Sequence, residues 1–152
     1  MDKSQRMALV RMPIIIGAAF VIIRVALELG GMNNIVPKIL GVAWLDILVP
    51  IYLAFKINGM GIAKPFTALI KSMATYAIPV KLLVALSYLL AHAFRWSGPR
   101  FGVASSPTTT AFEGFVGIPL NIFVVAVVTS LLAAAVFGGI TLFVVQRMGK
   151  SK

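Results

Sequence analysis

Residues 118–145, IPLNIFVVAVVTSLLAAAVFGGITLFVV, carry no charged side chain and no sustained alternation of apolar and polar positions. A helix needs roughly 20 mostly apolar residues to cross the hydrocarbon of a bilayer. A barrel strand would instead alternate inward and outward residues. This stretch reads as a membrane-spanning helix, and three others share its character. Residues 72–94 lie between Lys71 and Arg95, residues 36–55 end at Lys56, and residues 12–29 are closed by Gly30 and Gly31, residues suited to the position just past a helix end. The fold class expected is all-α, a polytopic four-transmembrane-helix bundle forming one membrane domain over residues 1–152.

Composition agrees. The chain is 60% hydrophobic and 12% charged, where soluble domains run at about 45–50% and about 25%. A bilayer can absorb that apolar excess; a small core in water cannot. The net charge of +10 does not point to nucleic acid, because the cations sit at the ends of apolar runs, where they meet lipid headgroups. Without cysteine, disulfides, thiolate chemistry and thiolate-held clusters are excluded. The basic start and the apolar run at 13–23 resemble a secretory signal. No small-x-small site follows, and the run is expected to stay as the first helix.

The connections differ in kind. Residues 30–35 read as a tight turn making the first two helices neighbours. Asn58 to Gly61 is a turn signal, and Pro65 suits the first turn of a helix, so residues 65–70 are expected as a short interfacial helix. Residues 95–117 form the one sizeable loop, marked as extramembrane by Ser105, Ser106, Pro107 and Thr108 to Thr110. With four spans both termini share a side. That side holds Lys3, Arg6, Arg11, Lys56, Lys64, Lys71, Arg147, Lys150 and Lys152, against Lys38, Arg95 and Arg100 on the other. The positive-inside rule then puts both termini in the cytoplasm.

Charges inside the spans are costly and therefore informative. There are four, Arg24, Glu28, Asp46 and Lys81, and they sum to zero. Asp46 lies ten residues from Lys56, and Lys81 ten from Lys71. Both should sit about 15 Å from one boundary, near the midplane, where they can pair. Glu28 follows Arg24 by four residues, on one helical face. Pro79 interrupts the third helix and could open a cavity there. The cluster serves either proton or ion handling or the register of helix packing.

A second polar group falls at the outer mouth: Asn33, Asn34, His92, Trp96 and Glu113. A histidine with a carboxylate can do acid–base work, although His and Trp at a headgroup boundary also serve as anchors. One histidine and no thiolate make a metal site unexpected, and no cofactor motif occurs. In the fourth span, Ala126, Ser130, Ala134 and Gly138 recur at four-residue spacing, a small-residue face that lets helix backbones approach closely. The function expected is a small non-catalytic membrane subunit or scaffold that holds other membrane helices or lipid through this face, with a homo- or hetero-oligomeric membrane partner. The alternatives are a small transporter or ion-conducting oligomer using the intramembrane charges, and a membrane enzyme acting on a lipidic substrate at the outer mouth.

Overall fold

The computed structural model describes residues 1–31 and 41–149, and the described chain is helical, without strands. Helix α1 (Lys3–Leu29) starts well before residue 12 because Asp2 and Gln5 close a reciprocal cap. Asp2 Oδ1 accepts from Gln5 N at 2.7 Å and Asp2 N donates to Gln5 Oε1 at 3.2 Å, satisfying two of the free backbone donors of a helix start. Helix α2 (Leu45–Gly59) follows a 3-10 turn at Val42–Trp44; the start of the second apolar run, at 36–40, lies outside the described residues. Most of the tight turn expected at 30–35 lies outside the described residues.

Helix α3 (Pro65–Phe94) absorbs the short interfacial helix expected at 65–70. Nothing between Ile70 and Ser72 breaks helical hydrogen bonding, and Thr75 Oγ1 donates back to the Lys71 carbonyl at 2.8 Å. The helix runs on through Pro79 and stops at Arg95, whose φ of 52° is left-handed. A side chain pays for that conformation, and here Arg95 Nη1 donates to the Ser106 carbonyl at 2.9 Å, tying down the following loop. The fourth span runs from Glu113 to Met148. It comprises a π turn at Glu113–Gly117, α4 (Ile118–Ala133), a second π turn at Ala134–Gly138 and α5 (Gly139–Gly149).

Four helices are thus long and apolar enough to cross a membrane: Lys3–Leu29, Val42–Gly59, Pro65–Phe94 and Glu113–Met148. They form a bundle with α3 at its centre, packed against α1 on one side and α4 on another. From α1 come Val10, Pro13, Gly17 and Val21, spaced three or four apart as a helical stripe demands. Gly17 permits the approach: a Cβ there would lie 2.9 Å from Val80 Cγ2. Helix α2 packs on α3, the second π turn and α5, and touches α1 only marginally, so the first two helices are not close partners. Leu53, Ile57, Leu69, Met73 and Tyr76 are fully enclosed. The outside is apolar too: Ile15, Ile22, Phe55, Leu120, Val125, Leu132 and Ile140 are all exposed. A continuous coat of this kind suits hydrocarbon rather than water.

The loop after α3 does not simply leave the bundle. Its 3-10 turn at Pro99–Phe101 tucks back, burying Phe101 completely and leaving Ala104 1% exposed. Phe101 packs edge-on against Tyr88 and Trp96, at centroid distances of 5.3 and 5.5 Å. This half of the loop is thus part of the folded bundle rather than a free excursion from it. Aromatic burial draws it against the side of α3.

Candidate functional site

The four intramembrane charges form two separate groups. In the inner one, Lys81 Nζ donates to Asp46 Oδ2 at 2.8 Å, and Ser130 Oγ lies 2.7 Å from Asp46 Oδ1. Asp46 is 9% exposed and Lys81 4%. Lys81 falls near the middle of α3, and Ser130 near the middle of the fourth span. Asp46 stands in the first turn of α2, where the positive end of the helix dipole favours a carboxylate. Helix α2 therefore begins level with the middle of its neighbours. Ser130 Oγ is also 2.9 Å from the Ala126 carbonyl; with a single proton it serves Asp46 or Ala126, not both in full.

The outer group consists of Arg24, Glu28 and Arg100. Arg24 Nε donates to Glu28 Oε1 at 3.0 Å. Arg100 Nε stands 3.0 Å from Glu28 Oε2, yet neither atom completes a hydrogen bond. The N–H does not point at the oxygen, and the contact is a charge pair only. The Arg100 side chain, 12% exposed, lies over the Phe101 and Tyr88 rings at 4.4 and 5.4 Å. Burial pushes its guanidinium below the ordinary arginine value, and Glu28 pulls it back up.

The outer-mouth residues do not assemble into a dyad. His92 is buried, with Nδ1 2.7 Å from the Ala104 carbonyl. A carbonyl only accepts, so Nδ1 carries the proton. The ring meets Phe115 edge-on at 4.8 Å, and a Cβ on Gly114 would fall 2.1 Å from Nδ1. Glu113 is instead a helix cap: Oε2 accepts from Thr110 N at 3.0 Å and from Thr110 Oγ1 at 2.9 Å. No ion pair or hydrogen bond joins His92 and Glu113 among the described residues. Trp96 stacks with Phe94 at 6.3 Å. Asn33 and Asn34 lie outside the described residues. No group of three potential metal ligands occurs among the described residues.

The small-residue face is used within the chain. Ser130, Ala134 and Gly138 are buried and Ala126 is half-buried. A Cβ on Gly138 would lie 2.7 Å from Leu69 Cδ2 and 3.1 Å from Pro50 Cβ, so α3 and α2 fill this face. A separate membrane partner would have to dock elsewhere.

Three residues escaped the sequence reading. From the sequence Arg100 reads only as a cation of one side, and neither Tyr88 nor Asn121 stands out from its apolar run. They line one cleft of about 690 Å³ between α3, the loop and α4. A lone amide among apolar neighbours was the available signal.

Four helices long and apolar enough to cross a membrane, packed around a buried ion pair, fit a multi-pass helical bundle. Compared with family models, curated proteins and solved structures, the chain matches none.

Proposed function

We propose that the chain is an integral membrane protein with both termini cytoplasmic, serving as a non-catalytic subunit that holds lipid and other membrane helices against its apolar exterior. The observation that carries this reading is the closure of the inner charge group. Both Asp46 oxygens have partners from two different helices, which suits an element that fixes packing register. A carboxylate that loads and releases a cation would need an open side. The separation of His92 from Glu113 weighs against acid–base chemistry at the outer mouth. The cation imbalance between the two ends supports the orientation.

Native mass spectrometry of protein released in gentle detergent tests the subunit role. A stoichiometric membrane partner or self-assembly supports it, and a bare monomer at every detergent concentration argues against it. A second reading, a small transporter or ion-conducting oligomer, uses the same charges and adds two atoms beside them. Ser72 Oγ and Tyr76 Oη are fully buried without a hydrogen-bond partner among the described residues, and unpaired groups of that kind can mark a water path. Proton-coupled flux in liposomes, abolished by a folded Asp46→Asn/Lys81→Met double variant, would favour that reading.

A further inference from the structure

The cleft beside α4 combines features that suit a single ligand class. Its volume of about 690 Å³ falls within the usual range for small-molecule sites, about 300–1,000 Å³. Arg100 and Tyr88 stand on one side, Glu113 at the outer end of the fourth span, and Ile118, Asn121 and Ile122 follow along α4. At 1.5 Å per residue, Ile122 lies about 14 Å deeper than Glu113. Glu113 marks the outer end of the cleft, Ile118 and then Asn121 follow below it, and from Ile122 the helix face continues apolar through exposed Val125, which suits an amphiphile lying along the helix.

Its polar groups are only partly committed. Arg100 Nε faces Glu28 as a charge pair without a hydrogen bond, and Nη2 has one long contact, 3.5 Å to Ser87 Oγ. Nη1 has no hydrogen-bond partner among the described residues. Glu113 engages Thr110 through Oε2 alone, leaving Oε1. Asn121 is exposed on an apolar helix and likewise has no partner among the described residues. An amide left unsatisfied in hydrocarbon is costly, so a ligand ester or phosphate oxygen would relieve it. Charge then selects the headgroup. An anion attracted by Arg100 is opposed by Glu113, a cation meets the reverse, and the Arg24–Glu28 pair behind is neutral. A zwitterion gains at both.

We infer that the cleft binds a zwitterionic phospholipid of the ethanolamine type, its phosphate at Arg100 and Asn121, its ammonium at Glu113, and an acyl chain running from Ile122 along exposed Val125. The inference rests on the membrane placement proposed above but not on the subunit role; a lipid-retaining monomer would overturn that role and leave this site standing.

The test exposes the purified protein in mild detergent to equimolar phosphatidylethanolamine and phosphatidylglycerol of matched chains, with adducts counted by native mass spectrometry. The wild type is expected to retain phosphatidylethanolamine preferentially. Glu113→Gln keeps the helix cap but removes the ammonium partner, and should lower that preference about tenfold, the scale of one charge-assisted contact. Asn121→Leu, at an exposed position, should weaken retention of both lipids. Equal binding of the two lipids by the wild type, or an unchanged ratio in Glu113→Gln, overturns the assignment. So does displacement of the lipid by free phosphoethanolamine at comparable concentration, because the apolar wall would then contribute nothing.

Discussion

Asp46 accepts from a lysine on one helix and a serine on another, and each partner has a different claim on it. Removing one member of a buried ion pair leaves the other uncompensated, typically at a cost of about 3–5 kcal/mol. Asp46→Asn alone and Lys81→Met alone should therefore each lower thermal stability in detergent more than the double change does. If the single losses simply add in the double variant, the two charges are not coupled. Ser130→Ala should cost less, about 1–3 kcal/mol, since it takes one hydrogen bond from a carboxylate that keeps its lysine. Counting residues from Lys56 and Lys71 sufficed to put Asp46 and Lys81 at one level. The same count could not see Ser130, whose spacing marked it only as small. Nor could it see Arg100 reach Glu28, because that contact depends on how Phe101 draws the loop inward.

Small residues recurring every four positions drift around an α-helix, since each step overshoots a 3.6-residue turn by about 40°. From Ser130 to Leu142 such a drift would carry the stripe off its face. The π turn at Ala134–Gly138, whose bonds span five residues rather than four, takes up the excess. Ser130, Ala134, Gly138 and Leu142 consequently all stay buried. Spacing alone revealed the small face but not the widened turn that keeps it aligned. Bulk at Gly138 should be felt at once: Leu69 Cδ2 can yield, whereas the Pro50 ring cannot. Gly138→Leu should cost about 1–3 kcal/mol by overpacking, read as a lowered melting temperature. Leu at exposed Val128 should leave melting unchanged; a reversed order would mean that the buried face is elsewhere. Gly114→Ala is the outer counterpart, since its methyl meets the His92 ring, and it should show a loss of similar size.

At the scale of the whole molecule, the apolar exterior and the uneven ends make a joint prediction about sidedness. In this cysteine-free chain, cysteines at exposed Pro107 and Met60 should react with an impermeant maleimide from opposite faces of sealed vesicles. Reaction of both from one face would rule out the four-span arrangement. The four spans were legible from length and apolarity alone, because hydrocarbon imposes that requirement on any spanning helix. Their limits were not. Lys3–Leu29 begins earlier through its cap, and Pro65–Phe94 runs unbroken past Lys71.

The order in which the chain leaves the ribosome gives the ion pairs a further meaning. Both buried carboxylates are made before cations that complete their surroundings: Lys81 comes 35 residues after Asp46, and Arg100 follows Glu28 at a still greater distance. At about 5–20 residues per second, Asp46 waits roughly 2–7 s for its partner. During that interval the first two helices hold an uncompensated acid, and insertion is incomplete in an energetic sense even where it is complete in length. A released chain ending after Gly61 should integrate poorly, and one ending after Phe94, with its lysine delivered, should integrate well.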